Sequence, residues 1–177
     1  SEVDVYYAIA TAPGAERLTR LRLGCQDGVT AAAEWVAASP RLGGLTSLSL
    51  GVTTDRGEPL GFDALMRLAR APHLRGLKSL DLAGLLVGET EAFAFAEAYA
   101  WPGLESLSLA GNPIPVSAHA WFAANPLLRS LRELDLRRTP IRAGGLDTLR
   151  AALPGTRILG AGGDMPPPPT LAPEDRP

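Results

Sequence analysis

The chain is poor in the residues that most chemistry needs. It has one cysteine and two histidines. A single cysteine excludes an intrachain disulfide, which points to a reducing, cytoplasmic location rather than a cystine-capped secreted module. One Cys and two isolated His make no metal-ligand set. No G-x-x-x-x-G-K-[ST] string is present, so no nucleotide site is indicated. No cofactor is therefore expected. Aromatic residues are only 6%. No apolar run approaches the roughly 20 residues that span a bilayer. There is no charge excess either, with 17 basic residues against 19 acidic and a net charge of -2. Neither nucleic acid nor an anionic membrane is expected as a partner on that ground. "SEVDVYYAIA" has no basic n-region and no initiating Met, so a processed, recombinant or excised chain is expected, either monomeric or part of a larger chain.

The chain is instead rich in leucine at regular intervals. Its 177 residues, 46% hydrophobic, are enough for one domain with a sizeable core. The string L-x-x-L-x-L occurs five times: Leu18-Leu21-Leu23, Leu45-Leu48-Leu50, Leu77-Leu80-Leu82, Leu104-Leu107-Leu109 and Leu131-Leu134-Leu136. The first leucines are separated by 27, 32, 27 and 27 residues. A second set keeps the same beat. Nine residues before each first leucine stand Ile9, Val36, Leu68, Phe95 and Phe122, and Leu149 stands nine before Ile158. Five residues before stand Pro13, Pro40, Pro72, Tyr99 and Pro126. Proline at four of these five places marks a recurring helix stop.

Each unit reads as a strand followed by a helix. The x-L-x-L core alternates with period two, which places its leucines on one face of a short strand. A turn rich in small residues follows, then a helical stretch such as "GFDALMRLAR", in which Leu65 and Leu68 share a face. Neither element buries its apolar face alone, so stacked units are expected to form an α/β solenoid, with an inner parallel sheet and outer helices. A buried leucine contributes roughly 1.5–3 kcal/mol.

These units resemble leucine-rich repeats, pattern L-x-x-L-x-L-x-x-N-x-L, over residues 5 to 160. The 27-residue length with a full helix is similar to the ribonuclease-inhibitor-like subclass. The resemblance implies a horseshoe of right-handed βα units. "LESLSLAGNPI" matches the pattern best, with Asn112 at the asparagine and Ile114 at the last apolar position. In the family that asparagine bonds turn backbone groups between neighbouring units. Gln26, Thr53, Leu85 and Thr139 stand there in the other units. Leu85 cannot make such bonds, so the ladder is expected to break at the third unit. The richness in alanine, glycine, proline and arginine points to a GC-rich bacterial source.

The units give three segments. Residues 1–14 read as an N-terminal helix, either a cap or a truncated repeat. Residues 15–160 hold the five repeats and a degenerate last strand around Ile158. Residues 161–177, "AGGDMPPPPTLAPEDRP", read as a disordered proline-rich tail, with Pro166 to Pro169 as a P-x-x-P string. The second unit is longer by five residues, in "GVTTDRGEPLG", which reads as an edge-loop insertion exposing Asp55, Arg56 and Glu58.

Catalysis is not expected. His73 follows a helix stop and His119 lies on a helix, a core's width from Ser106 and Ser108, so a Ser-His-Asp arrangement fails on geometry. Cys25 reads as a structural thiol. The inner face remains. The third and fifth positions of L-x-x-L-x-L point away from the leucines and form two rows: Arg20, Ser47, Ser79, Ser106, Glu133 and Arg22, Ser49, Asp81, Ser108, Asp135. That surface is basic at one end, hydroxylic in the middle and acidic at the other, with Arg132, Arg137 and Arg138 near the acidic end.

Five strands at about 4.8 Å spacing make a face about 20 Å across. It lacks the aromatic anchors common at hot spots; Trp35, Trp101 and Trp121 fall on the helix side or its exit. The expected function is therefore a non-catalytic scaffold for another protein or peptide, using the concave face and, more weakly, Asp55, Arg56 and Glu58. The alternative is a regulatory module acting on an enzyme in trans, inhibitor-like or GTPase-activating-like. The resemblance suggests it, with Arg56, Arg137 and Arg138 as candidates.

Overall fold

A strand that buries every second residue needs something apolar on one side and tolerates water on the other. The computed structural model describes residues 8–9, 12–25, 28–52, 59–92 and 101–160. The strands are β1 (Arg20–Cys25), β2 (Ser47–Val52), β3 (Ser79–Asp81), β4 (Ser106–Ser108), β5 (Glu133–Asp135) and β6 (Arg157–Leu159). They form a single open, all-parallel sheet in which each strand lies beside its successor in sequence. Leu48, Leu80, Leu107 and Leu134 stand side by side on one face and are buried, while the residues flanking them reach the other face. The fold is mixed α/β.

Helices α1 (Val29–Ala37), α2 (Phe62–Arg70), α3 (Ala118–Ala124) and α4 (Ala143–Ala152) follow strands, and residues 89–92 are also helical. The α1 helix packs against α2 and α3 against α4; α1 also touches β1 and β2, and α4 touches β6. In α2 the residues Ala64, Leu65 and Leu68 are buried, and Asp63 in the first turn with Arg67 and Arg70 in the last suits the helix dipole. Of the second leucine-beat set, Val36, Leu68, Phe122 and Leu149 lie in the core, fully buried, and Ile9 is half-buried.

The prolines stop the helices and also start something new. Ser39, Ala71 and Asn125, each before a proline, are non-helical, with ψ of 85°, 111° and 112°. Pro40 and Pro72 then open 3-10 turns, Pro40–Leu42 and Pro72–Leu74, and a third turn runs over Pro126–Ser130. The turns carry Leu42, Leu74 and Leu128 into the core just before the next strand.

Two corrections concern the ends. The leucine beat places Ile158 opposite Leu131, but Ile158 pairs with Leu134, three residues further along. No 3-10 turn separates α4 from β6; Leu153 and a tight turn at Pro154–Gly155 do so instead, which shortens this last unit. At the other end Leu18 and Leu21 are only partly buried, because β1 is an edge strand with covered leucines on one flank only. Most of the expected N-terminal helix, the proline-rich tail, and Gln26, Thr53, Asp55, Arg56, Glu58, Phe95 and Tyr99 lie outside the described residues. No helix among the described residues is long and apolar enough to cross a membrane.

Candidate functional site

The face of the sheet opposite the helices carries the two sequence-expected rows, in register. Arg20, Ser47, Ser79, Ser106 and Glu133 are consecutive partners, and so are Arg22, Ser49, Asp81, Ser108 and Asp135. The sixth strand adds Arg157 to the first row and Leu159 to the second. Sequence reasoning missed Arg157 although Ile158 had marked the strand; its neighbour one residue earlier is forced onto the opposite face.

The polarity of this face differs from expectation. The acidic end is neutralised within the fold. Arg157 Nη1 donates to Glu133 Oε2 at 3.4 Å. Asp135, only 7% exposed, receives the Arg137 guanidinium, with Nε to Oδ1 at 3.0 Å and Nη2 to Oδ2 at 2.6 Å. Burial alone would raise the Asp135 carboxyl; the bonds and charge of Arg137 outweigh it and hold the group below the usual carboxylate range. Asp135 Oδ1 also accepts the backbone N–H of Arg137 at 3.0 Å, closing the turn that ends β5.

Asp81 repeats this role at β3. Its Oδ1 accepts the Ala83 N–H at 3.1 Å, and its Oδ2 accepts the Ser49 hydroxyl at 3.1 Å. Asp81 and Asp135, both in the expected concave-face rows, also each close a turn from the last strand residue, where the following backbone N–H groups curl back within reach.

At the other end, Arg20 and Arg22 are exposed and have no ion-pair partner among the described residues. Between the ends, Ser47, Ser79, Ser106 and Ser108 are half-exposed. A further charged line runs along the lower rim of the face, unanticipated from the repeat positions. Glu105 lies between Lys78 at 3.4 Å and Arg132 at 3.3 Å. Arg132, expected to sit near the acidic end, is thus committed to Glu105.

The Asn112 side chain joins two units. Its Oδ1 accepts the Val87 N–H at 3.0 Å, and its Nδ2 donates to the carbonyls of Leu82 at 2.8 Å and Leu109 at 3.0 Å. It is 1% exposed and ties the fourth unit to the third. At the third unit, Leu85 is buried and cannot donate or accept through its side chain. Its backbone carbonyl instead accepts the N–H of Leu60 at 2.8 Å, Leu60 being the second unit's counterpart of Val87. The ladder expected to break there is carried by main chain.

The other candidates are dispersed. His73 Nε2 lies 3.1 Å from the Val36 carbonyl, and His119 Nδ1 bonds the Val116 carbonyl at the start of its own helix, so neither attends the serine rows. Cys25 is fully buried. Trp101 is buried, and Trp35 and Trp121 pack against the core. Arg137 is held by Asp135, while Arg138 is exposed on a turn residue with φ of 58°. No group of three or more metal-ligating side chains exists among the described residues. A scan of protein-family models returns no match to the chain, and neither does a search of curated proteins.

Proposed function

We propose that the chain is a leucine-rich-repeat solenoid, ribonuclease-inhibitor-like in its unit length, that acts without catalysis as a scaffold for another protein. Its contact surface is the strand face opposite the helices, the inner face of such a solenoid. The observation that carries this reading is the register. Residues one repeat apart stand side by side across the sheet, from Arg20 to Arg157 and from Arg22 to Asp135. A row of neighbouring polar side chains on a rigid parallel sheet suits an extended or convex partner. Six strands at about 4.8 Å spacing span about 24 Å. The two rows lie only about 6.6 Å apart along the strands, so this band is well below the roughly 800 Å² per partner of a standard interface and the face alone binds weakly.

The test fills the middle of the face. Ser79→Arg plus Ser106→Arg places two long side chains on adjacent strands, and Arg70→Glu plus Arg75→Glu alters exposed positions away from the serine rows. Ligands recovered from a lysate on the immobilised chain are expected to fall about tenfold with the face variant, equivalent to ~1.4 kcal/mol. They are expected to persist with the other. Equal recovery by both variants, at equal urea midpoints, rejects the reading.

A further inference from the structure

The charge inventory of the sheet face is uneven, and that unevenness names a partner chemistry. Its carboxylates are all engaged: Glu133 by Arg157, Asp135 by Arg137, Asp81 by the Ser49 hydroxyl and the Ala83 N–H. On the rim, Glu105 is shared by Lys78 and Arg132. The cations Arg20 and Arg22 are different. Both are exposed, on the edge strand β1, with no ion-pair partner among the described residues.

We infer that Arg20 and Arg22 are a docking site for an extended acidic segment of a partner protein, carrying carboxylates two residues apart. The inference rests on the proposed protein-binding role of this face and specifies what binds. Alternate residues of a strand lie about 6.6 Å apart on one face, the same spacing that an extended peptide gives its own alternate side chains. Each guanidinium can take a carboxylate in a two-pronged bond that a lysine would not match. Ser47 stands beside Arg20 and Ser49 beside Arg22, which places hydroxyls next to both cations. Nucleic acid is the poorer occupant. The chain carries a net charge of -2, and neither row contains an aromatic side chain on which a base could stack.

The experiment uses a fluorescein-labelled eight-residue peptide of alternating Asp and Ser, its Asn-Ser counterpart, and a single-stranded oligonucleotide of equal charge. Binding to the full chain is read by anisotropy at low salt, where exposed charges are least screened. The Asp peptide is expected to bind and the Asn peptide to bind at least about tenfold more weakly, a difference of ~1.4 kcal/mol. Arg20→Glu plus Arg22→Glu is expected to abolish the preference. Arg20→Ser plus Arg22→Ser, which copies the neutral residues of β2, is expected to remove it without introducing repulsion.

Arg70→Glu plus Arg75→Glu changes net charge equally and is expected to leave the preference intact. Equal binding of the Asp and Asn peptides overturns the inference, as does an equal loss with the Arg70 and Arg75 pair, or tighter binding of the oligonucleotide. If the acidic preference fails while recovery still depends on Ser79 and Ser106, only the acidic specificity falls. If that dependence fails as well, the face itself is not a binding surface.

Discussion

The turns that leave β3, β4 and β5 share one backbone route and three different ways of holding it. After β4, Asn112 bonds across to Leu82 and Val87 of the preceding unit and back to Leu109 of its own. After β5, Thr139 occupies the same position, and its hydroxyl donates only to Leu136, inside its own turn, at 2.7 Å. After β3, the side chain at that position is Leu85, and its carbonyl bonds Leu60. The contrast teaches what an amide can do that a hydroxyl cannot. An asparagine presents an acceptor and two donors on a rigid plane, enough to join two units. A threonine reaches one group.

The two turns without asparagine carry an aspartate at the last strand residue, Asp81 or Asp135, each accepting the backbone N–H two residues on. The β4 turn has Ser108 there. Asparagine late in the turn and aspartate at its start are thus alternative devices in these three turns. The sharpest break of the comparison is to exchange the devices. Asn112→Leu copies the third unit's residue into the fourth, where the Val87 N–H bonds the Asn112 side chain rather than a main-chain carbonyl. The Val87 N–H and the carbonyls of Leu82 and Leu109 lose their partner in a buried site. The expected cost is about 2–4 kcal/mol in urea unfolding. Thr139→Val removes a single bond and is expected to cost about 1 kcal/mol. Equal costs at the two positions would show that bridging between units contributes nothing beyond closure of the turn.

The aspartate device is separable by pH. Asp135 has a folded-state pKa depressed below its ordinary value, so its contribution is present above the unfolded carboxylate pKa of about 3.9 and fades as pH falls through the folded value. Asp135→Ala removes both the turn bond and the Arg137 pairing, and is expected to cost about 1–2 kcal/mol near neutral pH. The Arg137 side chain is mostly exposed, so solvent screens part of the ion pair. Wild type and variant are expected to converge in melting temperature as the pH is lowered below 3.9 toward the folded-state value. A gap that holds constant down to that acidity would assign the effect to packing rather than to the carboxylate.

Much of this was legible in advance. The leucine spacing specified the strands, and period two specified which side chains share a face, so both rows fell in register as read. Two kinds of feature were not legible. The position of β6 depends on whether a proline-led 3-10 turn precedes it, and "ALPGTRIL" omits that turn, which moves Ile158 from the partner of Leu131 to the partner of Leu134. The roles of Asp81 and Asp135 were hidden because period-two reasoning fixes the face of a side chain, not the path of the backbone beyond the strand's last residue. That path brings the N–H groups of Ala83 and Arg137 onto the carboxylates.

The finest distinction between these turns is a single dihedral angle. Gly84 and Gly111 adopt φ of 69° and 68°, and Arg138 takes the same left-handed place after β5 with φ of 58°. A residue with a Cβ loses roughly 1–2 kcal/mol in that region relative to a right-handed one. Arg138→Gly removes the strain but gains freedom in the unfolded chain, so the two effects partly cancel. The net expectation is a stabilisation of about 0.5 kcal/mol, a rise of about 1–2 °C in melting temperature for a chain of this size. Gly111→Ala runs the comparison backwards. A Cβ there would meet only Gly84 backbone atoms at 3.8 and 3.9 Å, ordinary contact, so its expected loss of about 1 kcal/mol is conformational rather than steric. Opposite signs from the two substitutions would mean that the three turns differ in side chains and share one backbone. A loss of stability with Arg138→Gly would mean that the arginine side chain itself holds the β5 turn.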